Sequence, residues 1–289
     1  LEAAYQADPK AYDKAAWEYV VVSGAADSTT DADGNTVQAT DEEQAAAKET
    51  AKATAEEILA AYNSGKSLES IAGNYEKATY YNTTDATYYD GVVGNWLFDD
   101  ARKDGDTEIL EVGTNYYVGL FHSRGREEYK TVDIRHILIT PETGTKAQGD
   151  EGYEDEQTQL KAAARTKAEE ILAQWKSGEA TEDSFAQLAM ENSADGSKYD
   201  GGLYTRVTKG WAVEEFNDWC FDASRKDGDT GIVDTTYGSH VMYFVGYDLP
   251  AWAASVTSDL QEKASSEWST ALSENADVQQ SDFGMKFVG

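Results

Sequence analysis

Apolar and polar positions along this chain follow two periods, and the order in which those periods come is the same in both halves. Ala15 to Ser23 (AAWEYVVVS) is β-branched and aromatic and ends in Ser-Gly, as a buried strand does. The acidic, glycine-containing stretch that follows, GAADSTTDADGNTVQATDEEQ, reads as a loop. From Asp41 to Ser64 the pattern turns helical, with Ala55, Ile58, Leu59 and Tyr62 at i, i+3, i+4 and i+7 and Gly65 placed to end the helix. Leu68, Ile71 and Tyr75 suggest a second, shorter helix. The Tyr- and Thr-rich stretch after it, NYEKATYYNTTDATYYDGVVGNW, has no clear helical period. A turn beginning at Arg102 then introduces a strand or hairpin from Ile109 to Phe121.

After a short charged connector the order begins again. Val132 to Thr140 (VDIRHILIT) is a strand ended by Pro141, and an acidic loop follows. Leu160, Ala164, Ala168, Ile171, Leu172 and Trp175 mark a helix closed by Ser177-Gly178. A short helix around Phe185 to Met190, a glycine-rich segment, a helix near Val213 to Ala223 and strands from Gly231 to Tyr247 complete the unit. Trp252, Val256, Leu260, Ala264 and Trp268 then keep helical spacing, which predicts a tail helix that packs against one of the units or stands in for a missing helical region.

Two identities make the repetition firm. Trp96 to Tyr117 (WLFDDARKDGDTEILEVGTNYY) matches Trp219 to His240 (WCFDASRKDGDTGIVDTTYGSH), and AEEILA occurs at both Ala55 to Ala60 and Ala168 to Ala173. A repeat over 289 residues predicts two related domains, each long enough to bury a core. The copies differ at their ends, where His240 faces Tyr117 in the alignment.

Composition narrows the partners. A formal charge of −30, from 54 acidic and 24 basic residues, opposes binding to phosphate backbones or anionic lipid, so nucleic acid is not expected. No apolar run is long enough to cross a membrane and no signal peptide is visible. Leu1 is not a natural start and residues 1–13 read as a helix end and linker, so upstream sequence carrying targeting information or an anchor is expected. The single cysteine, Cys220, lies between Trp219 and Phe221 and reads as core packing, with a reactive thiol as the other reading. Asp31, Asp33 and Asn35 alternate as in a calcium loop, but Thr36 stands where such a loop needs glycine, which favours a solvated turn.

Of the three histidines, His136 and His240 sit on the first and last strands of the second unit. Arg135-His136-Ile137-Leu138-Ile139 resembles the opening strand of the parvulin-type peptidyl-prolyl isomerases, and Tyr237-Gly238-Ser239-His240-Val241 resembles their closing strand. Asp195 at the end of Asn-Ser-Ala-Asp, Gly201-Gly202, Lys209-Gly210 and Glu215-Phe216 fall between them in the family's order, so the resemblance covers Thr131 to Tyr247. The region Lys14 to Arg124 resembles a degenerate copy, with Tyr19 at the place of His136, Tyr117 at that of His240 and Val93 at that of Phe216.

The resemblance implies an α+β chain: residues 1–13 as linker, a degenerate parvulin-like domain at 14–124, a connector at 125–130, a parvulin domain at 131–248, and a C-terminal helix and tail at 249–289. Each domain would be a small, mostly antiparallel sheet surrounded by helices. It implies a site in which Phe216 walls a proline pocket, with Leu203 as a second wall and Ala212 and Trp211 beside it. His136 and His240 would form a hydrogen-bonded pair continued by Thr235. Asp195 would act electrostatically and through hydrogen bonds; a turn or cap role is the competing reading. Taken singly, either histidine reads as a satisfied buried polar group and Phe216 as core.

Rotation about X–Pro faces a barrier of about 18–20 kcal/mol set by amide resonance, and lowering it needs no broken bond, metal or cofactor. The chain departs from the family at Ala212, where Met or Leu is usual, and at Leu203-Tyr204-Thr205-Arg206, which leaves substrate preference open. Pro141 to Gln157 holds only Lys146 against six acidic residues, so phosphorylated clients are disfavoured.

The expected activity is therefore isomerisation of X–Pro bonds in unfolded or proline-containing polypeptides by the second domain. Tandem domains with a helical tail are similar to extracytoplasmic foldases of the SurA and PrsA type, which implies an envelope or secreted location with any membrane attachment upstream of Leu1. A non-catalytic chaperone or peptide-binding scaffold is the alternative, and an adhesion module a third.

Overall fold

A computed structural model of the chain describes residues 1–275. The chain forms two compact units, Leu1–Glu127 and Glu128–Gly289. The tail expected beyond the C-terminal helix lies outside the described residues.

The first unit contains α1 (Glu2–Ala7), a 3-10 turn at Pro9–Ala11, β1 (Lys14–Val22), the short strands β2 (Thr29–Thr30) and β3 (Thr36–Val37), α2 (Asp41–Asn63), α3 (Leu68–Ala72), β4 (Ala78–Ala86), α4 (Val92–Leu97), β5 (Thr107–Val112) and β6 (Asn115–Gly125). Its main sheet is antiparallel in the order β4-β1-β6-β5. The stretch without a helical period thus holds an edge strand, β4, and a short helix. Most of β4 is exposed or half-buried, so its side chains carry no strong apolar alternation to read. Within the first thirteen residues the Tyr5 hydroxyl donates to the buried Asp13 carboxylate at 2.6 Å.

In the second unit come β7 (Lys130–Ile139), α5 (Tyr153–Ser177), α6 (Glu182–Asn192), a 3-10 turn at Gly196–Asp200, β8 (Leu203–Val207), α7 (Glu214–Cys220), β9 (Thr230–Thr235), β10 (Gly238–Pro250) and α8 (Ala251–Asn275). The antiparallel sheet runs β8-β7-β10-β9, the same arrangement element for element as in the first unit.

Local chemistry fixes the helix starts. Thr40 and Glu43 cap α2 reciprocally, each satisfying a backbone N–H of the other, and Thr181 and Ser184 do the same for α6. Alternation along β7 and β10 then divides the second core in two. Ile137 and Val241 face α5 and α6, packing on Ala168, Ile171, Trp175 and Phe185. Val132, Ile134, Met242 and Phe244 face the other way, onto α7 through Phe216 and Cys220. Cys220 is fully buried, and burial pushes its thiol up to about 12, which matches the packing role.

In helix α8 Ala251, Ala253, Ala254 and Val256 of the first two turns are buried, while Leu260 and Trp268 are exposed. None of the described helices is long and apolar enough to cross a membrane. At the Asp31–Asn35 turn, Asp31 accepts from the backbone N–H groups of Asp33 and Asn35 and from the Asn35 amide, so the turn is closed by its own hydrogen bonds. Among the described residues no group of His, Cys, Asp and Glu is arranged to hold a metal.

Candidate active site

Strand parity puts both histidines on the α7 side of the second sheet. His136 has the same phase as Val132 and Ile134, and His240 the phase of Met242 and Phe244. In the β7–β10 ladder His136 lies opposite Met242 and His240 opposite Leu138, so the two rings sit diagonally. Their Nδ1 atoms are 3.1 Å apart and the rings stack at 5.3 Å with 18° between planes. Both are buried, at 3% and 5% exposure.

Asp195 reaches them from the start of the 3-10 turn. Backbone contacts tie its segment to β7: the Ala194 N–H donates to the Leu138 carbonyl at 2.9 Å, and Ser193 Oγ accepts from Leu138 and Asp195 N–H groups. From the opposite face of β7, Arg135 donates to Glu182 at 2.9 Å and to the Asp200 and Gly201 carbonyls at 2.9 and 3.0 Å, clamping the far end of the turn. Asp195 Oδ1 then lies 3.2 Å from His136 Nε2. The same oxygen accepts from the Ser197 backbone N–H at 2.8 Å, from the Ser197 hydroxyl and from the Tyr204 hydroxyl at 2.9 Å. Asp195 is therefore both the cap of the turn and a partner of the histidine.

Burial disfavours the charged form of Asp195, but the Ser197 side chain and backbone, the adjacent His136 and the Tyr204 hydroxyl outweigh it and hold the carboxyl well below the usual carboxylate range. Burial lowers His136, and burial together with its neighbour His136 lowers His240 to about 4. The contacts run from Asp195 Oδ1 to His136 Nε2, from His136 Nδ1 to His240 Nδ1 and from His240 Nε2 to the Thr235 hydroxyl at 2.9 Å; a protonated His136 Nε2 facing the carboxylate, with Nδ1 accepting from His240, is the tautomer that suits them. Thr235 is in turn held by the Tyr237 N–H at 3.1 Å.

Above this array opens a cavity of about 310 Å³. Phe216, 3% exposed, stands edge-on to both histidines at 5.5 and 5.3 Å and forms one wall. Trp211, Ala212 and Val213 continue that side, and Tyr204 and Tyr237 complete the lining. Another hollow, of about 340 Å³, lies beside Pro141, Lys161 and Arg165, but no buried histidine lines it.

His136, Asp195, His240, Phe216, Ala212 and Trp211 are thus brought together, with Thr235 behind His240. Leu203 is not; it does not line the cavity, and its neighbour Tyr204 takes the place expected of it. Gly201 and Gly202 both have positive φ, and the pair sets which residue of β8 faces the site. An added Cβ at Gly202 would meet the His136 carbonyl at 2.3 Å, so glycine is required where β8 comes against β7. Ser197, Tyr204 and Tyr237 had no counterpart among the sequence expectations. The Asp-Gly-Ser run is a signal for a side chain that bonds its own backbone two residues on, and would have pointed to Ser197.

A buried histidine pair lies under an aromatic cup and beside a fixed carboxylate. It suits binding and polarising an uncharged group. Residues 118–245 match the family model described as the PPIC-type PPIASE domain. This part of the chain is a parvulin domain.

The chain is 29% identical over 142 residues to Foldase protein PrsA 1 of Listeria innocua, covering 47% of this chain and 39% of that protein, and 28% identical over the same length to its Listeria monocytogenes counterpart. It therefore spans about two fifths of the length of these curated relatives. Among solved structures, PrsA from Bacillus subtilis aligns at 21% identity and a TM-score of 0.33, over 53% of this chain and 52% of that one.

The first unit carries tyrosines at the matching ladder positions: Tyr19 lies opposite Gly119 and Tyr117 opposite Val21, the same two-residue diagonal as His136 and His240. The Tyr19 and Tyr117 rings stack at 5.8 Å with 17° between planes. Val93, buried in α4, takes the position of the parvulin domain's Phe216.

Proposed function

We propose that the second unit is a peptidyl-prolyl cis–trans isomerase that acts on X–Pro bonds of unfolded or exported polypeptides without covalent chemistry. The observation that carries this reading is the continuous chain of contacts from Thr235 through His240 and His136 to Asp195, set beneath the apolar cup of Phe216. The proline ring enters the cup. Exclusion of water weakens solvation of the planar, charge-separated amide, and the fixed dipoles of the array favour the twisted form. His136 and His240 orient and polarise; Asp195 anchors the negative end; Thr235 positions His240. No cofactor takes part.

The first unit, with Tyr19 and Tyr117 in place of the histidines, is a degenerate parvulin-like module that contributes structure or holds clients. The likeness to extracytoplasmic foldases supports an envelope or secreted location. A non-catalytic, client-binding role for both units is the second reading, favoured by the small side chain of Ala212 in the lining of the cup.

Isomerisation of a proline-containing tetrapeptide separates the two. The expected result is acceleration over the spontaneous rate, reduced by Phe216→Ala and reduced on the order of a hundredfold by His240→Ala, as loss of a polarising group predicts. Client binding with no acceleration would leave only the second reading.

A further inference from the structure

All the hydrogen bonds to the Asp195 carboxylate converge on Oδ1, and Oδ2 receives none among the described residues although Asp195 lines the cavity. Those bonds hold the group ionised, so a carboxylate with one oxygen that accepts from no protein donor among the described residues lines the cavity. At the mouth stand two broad aromatic faces, Trp211 at 49% and Tyr237 at 64% exposure, unusually open for residues of their size. Glu214 and Glu215 follow the lining residue Val213 in the first turn of α7, are exposed, and enter no ion pair among the described residues. Nearby cations are committed elsewhere: Lys198 lies 5.3 Å from the Tyr199 ring centre and Lys209 4.8 Å from that of Tyr129.

We propose that this pocket selects prolines flanked by a lysine or arginine, whose cationic head is received by Asp195 Oδ2, the faces of Trp211 and Tyr237, and the acidic turn at Glu214 and Glu215. The inference rests on the isomerase reading and names the substrate class of the same site. Aromatic faces alone would accept any large side chain. The surrounding carboxylates favour a cation over an apolar group and repel an acidic one, which extends the acidic character of the 141–157 loop to the mouth itself.

Two tetrapeptide series test it, one varying the residue before the proline and one the residue after, with Lys, Arg, Leu and Glu. In at least one series kcat/KM is expected to favour Lys or Arg over Glu by about tenfold and over Leu by about threefold at low salt, from an exposed cation–π contact added to screened charge pairs. The preference should shrink about twofold in 0.5 M salt. Asp195→Asn should lower the Lys-to-Leu ratio by about twofold whatever it does to the rate, and Glu214→Gln with Glu215→Gln should lower it as well. Ratios near one in both series, or a Lys-to-Leu ratio untouched by Asp195→Asn, overturn the proposal while isomerisation itself persists. If no peptide is isomerised, the isomerase reading fails. The affinities of the same peptides, followed by tryptophan fluorescence, then decide selection: tighter binding of the Lys and Arg peptides supports it, and equal binding overturns it.

Discussion

Replacing Tyr204 with Phe removes one oxygen and leaves the ring against Trp211, whose centre is 4.7 Å away, and against His136 at 5.5 Å. The lost oxygen donates to Asp195 Oδ1 at 2.9 Å. A hydrogen bond to a charged group contributes about 1.5–3 kcal/mol. The Asp195 side chain is 25% exposed, so water replaces part of that donor. Roughly 1 kcal/mol then remains, which lowers the melting temperature of a unit of this size by about 3 °C.

If a fixed Asp195 is needed in the twisted-amide state, the same energy appears as a loss of about fivefold in kcat/KM for a tetrapeptide. The Asp195 pKa should rise by less than one pH unit, since the Ser197 and His136 contacts persist. Thermal melting, the peptide assay and a carboxyl-carbon NMR titration read the three effects on one protein. An unchanged rate together with an unchanged titration would refute the role given to Tyr204, and a collapse of the fold would show that the hydroxyl holds far more than one carboxylate.

Acid should act through His240. Its folded pKa, about 4, lies below the ordinary value of 6.5, so between those values the unfolded chain binds the extra proton and stability falls as pH is lowered. The loss from this group reaches up to about 2 kcal/mol by pH 5; urea midpoints at pH 7 and pH 5 measure it, and an identical drop in His240→Asn would count against it. Asp195, also depressed, adds loss of the same sign only at still lower pH. Gly202→Ala forces a Cβ to 2.3 Å from the His136 carbonyl at a φ of +75° and should lower the urea midpoint by at least about 2 kcal/mol of stability; a change below about 0.5 kcal/mol would mean that β8 can shift without cost.

Much of this was legible in the chain. Strong periods gave the long helices and central strands, because a face that must be buried leaves its spacing in the sequence. His136, His240, Asp195 and Phe216 stood out through a recognisable pattern, and they do converge on one cavity. Edge strand β4 left little trace, since a mostly solvated strand imposes no alternation. Leu203 was expected where Tyr204 stands. A strand presents every second residue to one side, but the phase is set by the turn before it, and the two positive-φ glycines fix that phase through backbone geometry that residue types alone do not reveal. Tyr237 was hidden for a related reason: a residue at an exposed turn looks like any loop aromatic until the turn is seen to border the cup.

The tyrosine pair of the first unit gives the molecule a built-in control. Two sheets of one strand order present side chains on the same diagonal, in one case imidazoles and in the other phenols, with nearly parallel rings in both. The backbone ladder, rather than the chemistry of what it carries, therefore sets the spacing of the pair. A client response that disappears on removal of both histidines belongs to the imidazoles, since the tyrosine pair shows that the ladder keeps its diagonal without them. The chain thus carries a histidine-free sheet matched in ladder register to the one that bears the pair.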